Sequence, residues 1–427
     1  MQNRLTAGTI IFLFLISFSA SAQKLVNSPL SRFNLGTIEP AGSFRSLGMG
    51  GVGTSMRDNT SIFISNPASF SSLDTNSFIF DFGIDYSINK ISEGSDNYSS
   101  DDLNFDHLII GFPLAKGIGL VAGILPFSTG YYKMSETVKE GDAGYDPLTG
   151  EYTTLHSGEG GFTNFFIGSG VKINKNFSAG INLSLLLGQV NRLNQFSFTN
   201  YYNVYHNNST EKLQLNGINF DYGVQYTTVL KNNYFINAGI SLTSGKNYKT
   251  KYENISYRFT TYGTRDTLTY NTDDATRSFL PGTLRLGFSA GKKDKFVAGI
   301  DYLSTKWTKA KIQGAYGYLG NTQTLLVGTE YIPEKYANYS YLRRVEYRLG
   351  GHIGDNYLVI NDRQIREYGI TAGLGLPMRR TRSKTNLFFD YTKKSGSTAI
   401  YPHIENYYTF GISLNFYDFW FLQHKYD

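Results

Sequence analysis

From Tyr407 to Phe416 the chain alternates without a break: Tyr408, Phe410, Ile412, Leu414 and Phe416 fall on one side, and Thr409, Gly411, Ser413 and Asn415 on the other. Successive side chains of a strand point to opposite faces, so this stretch is a strand with one oily face and one small, polar face. The same pattern returns in segment after segment upstream, and no second layer of elements is left to cover the oily faces. Lipid is the cover such a sheet requires, and a closed barrel is how a sheet satisfies its backbone there.

The alternation predicts 14 strands, over about 76–90, 104–115, 118–132, 161–173, 177–198, 213–230, 234–255, 278–291, 295–309, 322–332, 344–354, 365–377, 384–394 and 406–417. An even count suits an antiparallel barrel with both chain ends on one side. Most segments reach the roughly 9–11 residues that a tilted membrane strand needs. Their faces agree with one another. In the first, Phe78, Phe80, Phe82, Ile84, Tyr86 and Ile88 oppose Asp81, Gly83, Asp85 and Ser87; later, Val345, Tyr347 and Leu349 oppose Glu346, Arg348 and Gly350. A basic side chain facing lipid at the midplane costs about 2–4 kcal/mol, so the charged face is the lumen.

Turn lengths give the orientation. The connections 115–117, 174–176, 231–233 and 292–294 are short, whereas 133–160, 199–212, 256–277 and 395–405 read as long loops. Short turns on the periplasmic side and long loops outside are the expected asymmetry. The 333–343 connection is long on the periplasmic side, and its Pro333, Tyr336, Tyr339 and Tyr341 suggest an interfacial turn.

The start of the chain fits export. Met1–Arg4 is a short basic region, Ile10–Phe18 an apolar core too short to span a bilayer, and Ala20-Ser21-Ala22 a small-residue cleavage site. A signal peptide over 1–22 is expected, then an N-terminal segment over 23–75, a barrel over 76–417 and a periplasmic tail over 418–427. There is no cysteine, which excludes disulfides, thiolate metal sites and cysteine nucleophiles. The charge of +6 is mild and scattered, so no nucleic-acid partner is expected.

Residues 23–75 neither alternate nor hold a helical period. They contain the glycine-rich run Leu47-Gly48-Met49-Gly50-Gly51-Val52-Gly53 and then Asn66-Pro67-Ala68-Ser69-Phe70. Glycine lets backbone pass close to backbone, and proline blocks strand pairing, so this segment is expected inside the barrel as a plug. The run Arg45–Leu73, with Arg57-Asp58-Asn59 and then Asn66-Pro67-Ala68 just before the first strand, resembles the hatch of the long-chain fatty acid outer-membrane transporter family (FadL/OmpP1-like). Leu280-Pro281 through Leu286-Gly287, Asp301-Tyr302 and Trp307 are similar to a strand pair in the middle of that family's barrel, and the closing Phe416 resembles an outer-membrane insertion signal.

The resemblance implies passive uptake of hydrophobic small molecules, with a ligand meeting the plug and leaving sideways into outer-membrane lipid. Met49, Phe63, Asn66, Pro67, Ala68 and Phe70 are the candidate ligand and hatch residues, with a greasy cavity near the outer end formed by Met49, Phe63 and Phe70. Pro126, flanked by Gly123 and Gly130, marks either a wall opening or an ordinary proline near a strand end. A gap over 123–130 with Asn66 beside it is the expectation.

Asp85, Asp221, Arg285, Asp301, Glu346, Arg348, His352 and Asp390 should face the lumen, where polar groups satisfy one another and hold the plug. The six histidines have no metal-ligand spacing, and the acidic stretch Glu136–Glu151 lacks that of an EF-hand, so no metal, cofactor or catalytic centre is expected. A second class of function is an accessory barrel of an outer-membrane secretion or assembly complex. Its partners would dock on the tail, on the 333–343 turn or on Arg379-Arg380-Thr381-Arg382.

Overall fold

The computed structural model describes residues 28–420, apart from 94–95, 143, 200–203, 261, 316, 361 and 397–402. The expected signal peptide and most of the expected tail lie outside the described residues.

The wall is a closed antiparallel barrel of 14 strands. In order they are Ser77–Glu93, Asp96–Ala115, Ile118–Thr129 continued by Tyr132–Val138, Tyr152–Lys172, Phe177–Phe198, His206–Val229, Tyr234–Thr243 continued by Lys246–Phe259, Arg265–Leu280 continued by Thr283–Lys292, Phe296–Thr305, Tyr318–Leu319 continued by Thr322–Tyr331, Glu346–Ile360, Arg363–Pro377, Lys384–Ser395 and His403–Phe419. The last strand closes on the first along its whole length, from His403 opposite Glu93 to Phe419 opposite Ser77.

Each of the 14 expected segments is found, but many strands run further on the loop side. The second begins at Asp96 rather than 104, the fourth at Tyr152 rather than 161, the sixth at His206 rather than 213 and the eighth at Arg265 rather than 278. Strand pairing thus reaches well into the long loops expected at 133–160, 199–212 and 256–277. Beyond the lipid both faces of a strand meet water, so the alternation fades while the backbone pairing continues.

The faces follow the reading of the sequence. On the last strand Phe410 and Ile412 are 49% and 47% exposed, whereas Ser413 and Asn415 are each 1% exposed. Short turns close the other end with left-handed residues, Gly117 (φ 79), Asn232 (φ 59) and Asp294 (φ 60), the residue types that tolerate that region.

Inside the wall, residues 28–73 are mostly buried. Phe44–Leu47 is one helical turn, and Pro67–Ser72 is a 3-10 helix. Asn66 caps the latter, its Oδ1 accepting the Ala68 N–H at 3.0 Å, and Pro67 takes the first helical position, where a missing N–H costs nothing.

The path of this segment is cut into the wall by lumen-facing glycines. Gly119, Gly170, Gly180 and Gly223 stand in register across the third to sixth strands. A Cβ on any of them would overlap Phe70, Pro67 or Asn66. The ring continues through Gly239 and Gly287 against Thr54, Gly328 against the Met49 carbonyl, Gly350 against Gly50 and Gly411 against Phe44. At Gly119, Gly170, Gly180, Gly239, Gly328 and Gly350 glycine is needed because backbone lies directly against backbone, and at Gly223 and Gly411 the Asn66 side chain and the Phe44 ring take the space of a Cβ.

Candidate functional site

Charged side chains from the wall fasten the N-terminal segment. Arg45 Nη2 lies 2.9 Å from Glu330 Oε1, and its Nη1 lies 2.8 Å from Asp58. Glu330 also accepts from Arg348 Nε at 2.7 Å, Arg348 pairs with Glu346, and Lys384 Nζ reaches Glu346 at 2.6 Å. Apart from Asp58, these side chains are nearly wholly buried. A buried charge without its partner is costly, so the network holds Arg45 in one place.

Further anchors surround it. Asp301 Oδ2 accepts the N–H groups of Gly53 at 2.8 Å and Thr54 at 2.7 Å. Gln225 Nε2 donates to the Thr54 carbonyl at 2.9 Å, and Arg57 donates to Gln225 Oε1 at 2.9 Å. His107 sits between Asp81 (3.2 Å) and Asp106 (2.6 Å), and its ring meets the edge of Phe44, which in turn stacks on Phe388.

Above these anchors lies a chamber of about 470 Å³. Residues 37–41 lie on one side of it, with Phe44, Leu47 and Ile64 from the deeper part of the segment. The wall contributes apolar groups such as Leu125, Phe127, Phe166 and Trp307, and also Asp221, Arg285 and Asp390. The outer end is packed by Leu30 and Leu35 against Phe162, Val190, Leu213 and Tyr357. Ser28 Oγ ties this strap to Glu405 on the last strand at 2.9 Å.

The wall beside the chamber has a seam. The second and third strands pair only between Leu108–Ala115 and Ile118–Ile124. Beyond that point the second strand stays with the first, up to Asp96 opposite Glu93, while the third stays with the fourth. The edge that the third strand loses there is taken by the N-terminal segment: Thr37 pairs with Thr129, Ile38 with Ser128, and the Glu39 N–H reaches the Phe127 carbonyl at 3.0 Å.

A model of the BamG family matches residues 2–427. The chain belongs to the BamG family. No curated protein matches it. Among solved structures it is similar to the Pseudomonas putida toluene transporter TodX, at 14% identity and a TM-score of 0.56 over 90% of this chain and 99% of that one. It is also similar to a Pseudomonas aeruginosa FadL homologue, at 11% and 0.57 over 89% and 99%. The Ralstonia pickettii toluene transporter TbuX follows at 12% and 0.54 over 88% and 99%. This BamG-family chain therefore shares the fold of FadL-type barrels.

Within that fold the residues singled out from sequence separate into three places. Asp85, Asp221, Arg285, His352 and Asp390 line the chamber, while Asp301 holds the N-terminal segment directly and Arg348, paired with Glu346, holds the Glu330 that binds Arg45. Met49 and Phe63 do not line the chamber; they pack with Val52, Met56, Val297 and Leu326. Phe70 packs instead with Ile62, Val121 and Phe166. Apolar side chains of the segment pair with apolar lumen-facing wall residues, which leaves the wall itself to line most of the cavity.

Asn66 also lies elsewhere than expected. Its Nδ2 donates to the Thr54, Val224 and Ile240 carbonyls, beside the sixth and seventh strands. Thr37–Ile38 is the part of the segment that meets the third strand. Pro126 pairs with Thr163, and a register shift follows before Ser128, so the ladder to the fourth strand bends at the proline and continues. Gly123 packs on Phe166 and Gly130 on Val190. Sequence reasoning missed the strap at residues 28–39 and the His107 cluster, whose partners come from another strand and from a bulge with no spacing signature.

Proposed function

We propose that this protein is an outer-membrane channel for passive uptake of hydrophobic compounds, the class that includes long-chain fatty acids, with exit sideways into the bilayer. The observation that carries the reading is the seam: above Ile124 the third strand leaves the second, and the chamber with Leu125 and Phe127 lies behind it. An apolar solute keeps its surface dry by leaving through the wall, which is favourable by about 25 cal/mol per Å² relative to crossing into water. The toluene transporters with this fold add support.

An accessory role in an outer-membrane complex is favoured by one separate observation. The six turns at the end where the barrel strands begin and finish carry many basic residues, among them Lys175, Lys293, Arg343, Arg379 and Arg380, against only Asp294 and Glu334. Tyr336 and Tyr339 stand exposed among them.

Vesicles with and without the purified protein separate the two readings when challenged with a fluorescent apolar probe. Faster entry into protein-containing vesicles is the expected result. Equal entry, together with stable partners in pull-downs from native membranes, would favour the accessory role.

A further inference from the structure

The ligand class follows from the charge and ring chemistry of the chamber. Among the described residues seven carboxylates line it, against two permanent cations, Arg285 and Lys394; Asp106 is paired with His107 and Asp355 with Arg366 at 3.6 Å, which leaves Asp221, Glu367 and Asp390 among those with no cation within 4 Å. Several of the carboxylates are held by neutral donors: Asp221 accepts from Ser184 at 3.1 Å and Thr243 at 2.6 Å, and Asp390 accepts from Thr392 at 3.0 Å. Hydroxyl donors stabilise a carboxylate without cancelling its charge, so the negative field persists in the cavity.

The rings beside these carboxylates point to the same kind of occupant. The stacked rings of Phe44 and Phe388 and the tilted pair Trp307 and Tyr357 also border the cavity. Aromatic faces attract cations and give a carboxylate nothing comparable. The apolar side, Leu125, Phe127 and Phe166, belongs to the third and fourth strands at the seam, whereas Asp355, Glu367 and Asp390 sit on the eleventh to thirteenth.

We infer that the chamber takes amphiphiles with a neutral or cationic head group, alkyl end toward the seam, in preference to alkyl carboxylates. The inference rests on the channel reading above and narrows its substrate class. The test uses alkyl chains of one length ending in trimethylammonium, hydroxyl or carboxylate, with binding to the reconstituted protein measured at neutral pH.

The ammonium and alcohol probes should bind, and the carboxylate should bind about ten-fold more weakly or worse, a difference of about 1.4 kcal/mol. In D390N and, at a half-buried position less critical to folding, D355N, that ratio should shrink. A change in head-group ratio is a readout that loss of stability alone does not move. Carboxylate binding as tight as ammonium binding would overturn the inference and leave the channel intact. Absence of binding by all three probes would overturn the channel reading and the inference with it.

Discussion

Single residues decide where the N-terminal segment runs, and glycine does more of this than any charged group. A Cβ at position 328 would overlap the Met49 carbonyl oxygen, a backbone atom that no rotamer change can move aside. Gly328→Ala should therefore push the glycine-rich turn off the tenth strand and destabilise the fold by about 1–3 kcal/mol. Ile412→Ala, which only trims a lipid-facing side chain, is the comparison. Unfolding midpoints in matched vesicles measure both, and equal shifts would remove the close-packing argument. The lumen face itself was legible, because lipid tolerates charge so poorly that Asp85, Arg348 and Asp390 declare their side. What the small face of each strand touches was not legible: a glycine there fits equally well with open lumen or with backbone pressed against it.

At the scale of elements, the strands were readable wherever lipid imposes two unlike faces and unreadable where it stops. That is why the cores of all 14 strands were found and the extensions at Tyr152 and His206 were taken for loop. The strap Thr37–Ile38 carried no signal, since two residues have no period, yet it occupies the free edge of the third strand. For the wall to open to lipid at the seam, this short strand has to release that edge. Thr37 and Thr129 are directly opposite, at the antiparallel Cα separation of about 4.5–5.5 Å that a disulfide accepts. The chain has no cysteine of its own to interfere. In the double variant Thr37→Cys, Thr129→Cys, oxidation should stop probe uptake and reduction should restore it, with insertion unchanged in both states. Uptake indifferent to redox state would show that the strap need not move.

The whole molecule is a wall and a filling that differ in what they need from each other. Without residues 31–70 the wall keeps its strand-to-strand ladder, which closes on itself through the first and last strands, and gives up only the partners of the third strand's edge at Phe127–Thr129. Within the buried network the charges also remain matched once Arg45 is gone, because Arg348 still bridges Glu330 and Glu346, and Lys384 still holds Glu346, whereas Asp301 loses its Gly53 and Thr54 donors. The filling has no such independence: beyond its internal turns, it is held by hydrogen bonds to Asp301, Gln225 and the Val224 and Ile240 carbonyls, which the wall supplies. Deleting residues 31–70 should thus leave a barrel that inserts, and one whose lumen, lined by the row of glycines and the freed carboxylates, conducts ions. Planar-bilayer recordings should show a conductance for the deletion variant well above that of the full chain, with a preference for cations set by the excess of acidic groups over Arg285 and Lys394 in the upper lumen. A deletion variant that inserts yet stays closed would mean that the wall collapses on itself or that the outer loops, not the N-terminal segment, seal the pore.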